Sequence, residues 1–84
     1  MSEINNADQV VSKEDFVAFL GSLLQDLINN PAKWENNTLD RYLEAMQAWT
    51  VDMNGYYRNM GLPIPENVSW NVFAKILSAA VVYE

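Results

Sequence analysis

Residues 34–49 read Trp-Glu-Asn-Asn-Thr-Leu-Asp-Arg-Tyr-Leu-Glu-Ala-Met-Gln-Ala-Trp, a capped amphipathic helix bounded by tryptophans, and no other stretch restricts the fold as strongly. Thr38 is a residue type that caps helix starts. Plotted at about 100° per residue, Leu39, Tyr42, Leu43, Met46, Trp49 and Met53 fall within one arc, and Asp40, Arg41, Glu44, Ala48 and Asp52 fall on the other. Asn54-Gly55 offers two residues tolerant of positive φ where a C-terminal cap needs one, so the expected helix spans 39–54.

Upstream, Ser12 with Asp15 resembles a capping box, and Val11 sits where a hydrophobic staple would reach Phe16. Phe16, Leu20, Leu23, Leu24 and Leu27 then recur at helical steps, widened by Val17, Phe19 and Ile28. A stripe this broad asks for cover from two other helices. Asn29-Asn30-Pro31 ends the segment, because the residue before proline is pushed out of the helical region. The expected helix is 13–29, followed by an extra turn over 31–35 that Asn30 caps, and residues 1–11 are expected to form a flexible tail.

Residues 56–65 contain two X-Pro steps and read as an extended connection. A third helix over 67–82, capped by Asn67 or Ser69, carries Trp70, Phe73, Ala74, Leu77 and Val81 on one face with Ile76, Ala80 and Tyr83 beside it. It is apolar nearly all round, as expected of the middle of a bundle or of a subunit seam. The β-branched ending at residues 81–84 leaves a short strand as the alternative there. The expected fold is all-α: one helical domain over 12–84, built as a small bundle of three main helices in which Trp49 packs on Trp70.

Composition narrows function mostly by exclusion. A chain of 84 residues removes only roughly 60% of its surface from water on folding, and a hydrophobic fraction of 50% supplies the core that such a domain needs. With 11 acids against 5 bases, the net charge of -6 repels nucleic-acid phosphates and anionic lipid, so no nucleic-acid or membrane partner is expected. No apolar run approaches the roughly 20 residues of a membrane span, the N-terminus has no signal-peptide pattern, and a cytoplasmic location is the default. Sequons at Asn36 and Asn67 are read as chemistry of helix starts.

The chain has no Cys and no His, which removes thiolate and imidazole chemistry; no catalytic residue, cofactor or metal is expected. Asp40 and Glu44 project from one side of a helix, but acid-base work would require one of them to be buried beside another acid. Asp52-Met-Asn54-Gly55 resembles part of a calcium loop, yet with Gly55 at the sixth position Thr50 and Gly61 stand where carboxylates belong. Aromatics are the stronger clue: Trp34, Tyr56, Tyr57 and Tyr83 lie in predicted loops or at an end and are candidates for exposure, and Tyr and Trp often anchor protein interfaces.

Trp34-Glu-Asn-x-Thr-Leu, Tyr42-Leu-Glu-Ala-Met-x-Ala-Trp49, Gly55-Tyr-Tyr and Trp70-x-x-Phe-Ala-x-Ile-Leu-x-Ala-Ala-x-x-Tyr-Glu84 together resemble a family of small uncharacterised bacterial proteins over about residues 12–84. That resemblance implies a compact domain and supplies no activity. Trp34, Leu39, Asp40, Glu44 and Trp49 also resemble barstar, a ribonuclease inhibitor in which an aromatic-rich loop leads into a helix of inhibitory acids. This second likeness implies a barstar-like α/β fold with short strands as the alternative architecture. The sequence departs from it at Leu43, where an aromatic is expected, and has no pair of obvious strand runs.

The functional expectation is a non-catalytic protein-interaction domain, in its sharpest form an antitoxin-like or immunity-like inhibitor. Trp34, Asp40, Glu44, Tyr56 and Tyr57 are the candidate contacts to a partner with a basic surface. The alternatives are a homodimer or larger homo-oligomer with the third helix at its seam, and an enzyme built on carboxylates.

Overall fold

Ser12 starts the first helix with an extended backbone, and its Oγ accepts the Asp15 N–H at 3.1 Å. The Asp15 carboxylate, shorter than the Glu of a full capping box, reaches back to the N–H of Val11 at 3.1 Å. Helix α1 spans Lys13–Asn29, a single 3-10 turn follows over Pro31–Lys33, α2 spans Leu39–Asn59 and α3 spans Trp70–Ala80. These elements belong to a computed structural model that describes residues 7–83. Among the described residues there is no strand, so the fold is the all-α small bundle and not a barstar-like α/β arrangement.

Two helix boundaries differ from expectation for identifiable reasons. α2 runs through Asn54-Gly55 and stops at Asn59. A glycine inside a helix costs about 1 kcal/mol, and burial of the rings that follow outweighs it. Tyr57 is 4% exposed, and the Tyr56 ring centroid lies 5.6 Å from that of Trp49. The chain turns at Gly61 instead, whose φ of 71° suits glycine, with the Leu62 N–H returning to Tyr57 O at 2.9 Å. α3 is capped by Ser69, whose Oγ accepts the Val72 N–H at 3.1 Å, and gives way at Val81–Val82 to a turn, neither helix nor strand. Residue 84 of that ending lies outside the described residues.

α3 is the element on which the others meet. Ala74, Leu77 and Val81 pack with Phe16, Phe19 and Leu23 of α1 and with Trp34, whereas Val72 and Ile76 pack with Trp49 of α2. The expected Trp49–Trp70 contact does not form. Trp70 instead lies against Phe16 at 5.4 Å between centroids, since the two tryptophans occupy different sides of α3. No Cα of α1 comes within 8 Å of a Cα of α2, although the Tyr42 and Met46 side chains reach the cluster that α1 builds.

The N-terminal segment joins the core from the other side. Ala7 and Val10, within the stretch expected to be a flexible tail, are buried in the α1–α3 cluster, and Val11, the expected staple, is 77% exposed. Asn71 fastens this strap through its side-chain amide, which donates to Ala7 O at 3.0 Å and Val10 O at 2.9 Å. Lys75 pairs with Asp8 at 3.6 Å while lying over the Tyr57 ring at 5.3 Å from its centroid. Residues 1–6 of the expected tail lie outside the described residues.

α1, α2 and the strap are all seated on α3, while its Trp70 and Phe73 remain 43% and 40% exposed.

Candidate functional site

Two helices whose backbones stay apart on a shared third leave a trough between them. One depression in it, about 330 Å³, is walled by Leu20, Leu24 and Leu27 of α1, by Trp34, and by Leu39 and Tyr42 of α2. The lining carries no charged side chain. Asn36, Asn37 and Thr38 close one end. Beyond this depression the apolar surface continues, because Val17 and Ile28 on α1 and Leu43 on α2 are exposed as well.

Trp34 is part of the wall and not a projecting anchor: it is 7% exposed, its Nε1–H donates to Asp26 at 2.8 Å, and its ring lies 5.7 Å from Tyr42. The expectation that a loop tryptophan would be exposed is corrected here, because the 3-10 turn folds it back onto α1. Tyr42 is held in turn by its hydroxyl, which donates to Leu77 O at 2.8 Å, and burial pushes that phenol well above its ordinary pKa. These two rings are fixed from behind, so the wall is preformed.

Asn36 has a use that the sequon reading missed. Its side-chain amide donates to Ala80 O and to Tyr83 O, both at 2.9 Å, and its backbone N–H to Val81 O at 3.0 Å. It therefore satisfies carbonyls at the end of α3 and does not serve the start of α2. At that start, Thr38 occupies the N-cap position but turns its hydroxyl to Asp40 Oδ1 at 2.7 Å. That hydrogen bond, helped by the Arg41 backbone, holds the Asp40 carboxyl below its ordinary value. Asp40 is thus an exposed charge, ionised at neutral pH, that follows Thr38 and Leu39 of the trough lining.

A family model matches residues 12–84. The chain belongs to DUF7660, a family of unknown function. Comparison with curated proteins and with solved structures finds no match. The stretch assigned to DUF7660 begins at the N-cap of α1, so it includes both walls of the trough and leaves the strap at residues 7–11 outside.

Within this DUF7660 domain the five expected contact residues do not converge. Asp40 and Glu44 are exposed on α2, Trp34 is in the wall, and Tyr56 and Tyr57 lie near the far end of α2, about 24 Å from Asp40 at 1.5 Å per residue. Tyr57 is buried, contrary to expectation, and its hydroxyl has no partner among the described residues. Burial, with Tyr56 and Asp8 nearby, raises its pKa. Tyr83 is half-buried; its hydroxyl donates to Asp52, which raises the phenol's pKa.

Asp40, Glu44, Asp52 and Glu66 are all exposed, so none has the buried setting that carboxylate acid-base chemistry requires. Among the described residues no group of three His, Cys, Asp or Glu side chains is placed to hold a metal ion, and no helix is long and apolar enough to cross a membrane.

Proposed function

We propose that this domain is a non-catalytic protein-interaction module that binds a basic protein, with an antitoxin-like or immunity-like inhibitor as its sharpest form. The observation that carries the reading is the open apolar trough on a chain of net charge -6. Contiguous exposed apolar surface rimmed by polar groups marks interaction sites on monomeric domains. Here Asp40 is exposed next to Thr38 and Leu39, which line the trough, and Glu44 is exposed one turn further along α2, in a chain of net charge -6. Apolar area supplies affinity, and the acids supply steering and selection against acidic proteins. Trp34, placed among the presented residues by its sequence position, instead stiffens the surface that the partner meets.

Cross-linking in cells, followed by purification of the intact chain, tests this reading. The partner is expected to be rich in Lys and Arg, and the double variant Asp40→Lys/Glu44→Lys should recover at most about a tenth as much of it, as loss of charge complementarity worth about 1.4 kcal/mol implies. Gln25→Lys, an exposed change on α1, serves as the control and should leave recovery intact. Equal recovery by the double variant would refute a basic partner.

A further inference from the structure

α2 runs through the one asparagine of the chain that precedes a glycine. Asn54-Gly55 is the arrangement in which a side-chain amide is most readily attacked by the next backbone nitrogen, because glycine has no Cβ to crowd that nitrogen. Every other asparagine is followed by a residue that has a Cβ. The attack also requires the Gly55 N–H to be unbonded and Asn54 to leave helical φ/ψ. Inside α2, Leu39–Asn59, that N–H is committed to the carbonyl four residues back, and helical dihedrals hold it away from the side-chain amide carbon.

No neighbouring element adds to this protection. Asn54 is exposed, and a Cβ built on Gly55 would meet nothing within 4 Å. What guards the site is therefore the continuity of the helix, at its weaker end. Gly55 lowers helix stability, and the buried Tyr57 hydroxyl, without a partner among the described residues, lowers it further. Such a segment opens more readily than the bundle as a whole.

We propose that Asn54 is a deamidation site guarded by α2, and that its isoaspartate product unlocks the end of that helix. When the segment opens, the Gly55 nitrogen gives up its proton and bonds to Asn54 Cγ. The Cγ–Nδ2 bond breaks, and Nδ2 departs as ammonia with that proton. Water then adds across either C–N bond of the cyclic imide, leaving aspartate or isoaspartate, the latter with its backbone passing through the former side chain. Water is the only co-reactant. Isoaspartate lengthens the backbone by one methylene, so the ladder of hydrogen bonds from each N–H to the carbonyl four residues back cannot continue across it. Beyond the break lie Tyr56, 5.6 Å from Trp49 between ring centroids, and Tyr57, its ring centroid 5.3 Å from the Lys75 ammonium. Lys75 is also the ion-pair partner of Asp8, so release of Tyr57 loosens the strap.

The test compares the full chain with a synthetic peptide of residues 50–59 during incubation at mildly alkaline pH, with conversion read by peptide mapping and isoaspartyl methyltransferase labelling. The peptide should convert at least ~10-fold faster than the folded chain, and Gly55→Ala should slow both by ~10-fold or more. Urea below the unfolding transition should change the rate in the folded chain by no more than ~2-fold, since a local opening exposes little surface. The aged chain with isoaspartate at position 54 is then compared with Asn54→Asp, which has the same charge and an unaltered backbone. Amide exchange at Val10 and Tyr57 should be at least ~10-fold faster in the aged chain.

Equal rates in chain and peptide, a rate that climbs in step with global unfolding, or preferential conversion at another asparagine would overturn the guarded site. Exchange in the isoaspartate chain no faster than in Asn54→Asp would overturn the unlocking.

Discussion

Replacing Asn36 by Ala or by Asp separates two physical contributions at a single position. The native amide donates two hydrogen bonds of 2.9 Å, to Ala80 O and Tyr83 O, both part-buried. Each neutral bond contributes about 1 kcal/mol net, so Asn36→Ala should cost about 2 kcal/mol. By the scaling for domains of this size, that lowers Tm by about 8–16 °C. Asn36→Asp keeps the shape, loses both donors, and sets a carboxylate against the negative end of α3, which adds about 0.5–2 kcal/mol at neutral pH. Urea unfolding followed by circular dichroism and tryptophan fluorescence gives both values. The near-isosteric Asp must be worse than Ala at pH 7, and its extra cost must fall as the carboxyl becomes protonated below about pH 4. An Asp variant as stable as the Ala variant at pH 7, or an Ala variant within ~0.5 kcal/mol of wild type, would refute the assignment of Asn36 as the clasp of α3.

The glycines give a pair of opposite sign. Gly55→Ala should stabilise by about 0.5–1 kcal/mol, because Gly55 is helical and a Cβ there meets nothing within 4 Å, whereas Gly61→Ala at φ 71° should destabilise by about 1 kcal/mol. Neighbouring leucines on α1 should differ as sharply: Leu23→Ala, at a position 7% exposed, should cost about 2–5 kcal/mol, and Leu24→Ala should remain within about 1 kcal/mol of wild type in urea melts. Alkali should unfold the domain. The phenols of Tyr42, Tyr57 and Tyr83 are all raised above 10.0 in the fold, by burial for the first two and by the Asp52 hydrogen bond for the third. Above pH 10 the unfolded chain releases protons that the fold retains, so their contribution, whole below pH 10, declines as pH rises further. Coincident loss of helical signal and appearance of tyrosinate absorbance checks this, and full tyrosinate absorbance in a still-folded protein would contradict it.

α1 was legible to the residue because Ser12, the leucine row and Asn30-Pro31 all act locally. The end of α2 was not, since Asn54-Gly55 is a valid local stop that the distant burial of Tyr57 overrides. Trp34 was misplaced for a related reason: outside periodic structure a side chain's direction is set by partners, here Asp26 and Tyr42, and no spacing rule announces them. The acids Asp40 and Glu44 were correctly read as exposed. The trough was present in the sequence as the excessive breadth of the α1 stripe. That breadth was read as a demand for two covering helices, whereas α3 and the strap cover one side and leave Val17, Leu20, Leu24 and Ile28 bare.

The separation of the α1 and α2 backbones also orders events during synthesis. Both helices leave the ribosome before residues 70–80, and the surface on which each of them packs is α3. Isolated helices of their length are marginal in water, so a nascent chain that ends before Trp70 holds two fluctuating helices and no core. The domain acquires tertiary structure only when its last helix emerges, and until then its leucine rows are available to chaperones.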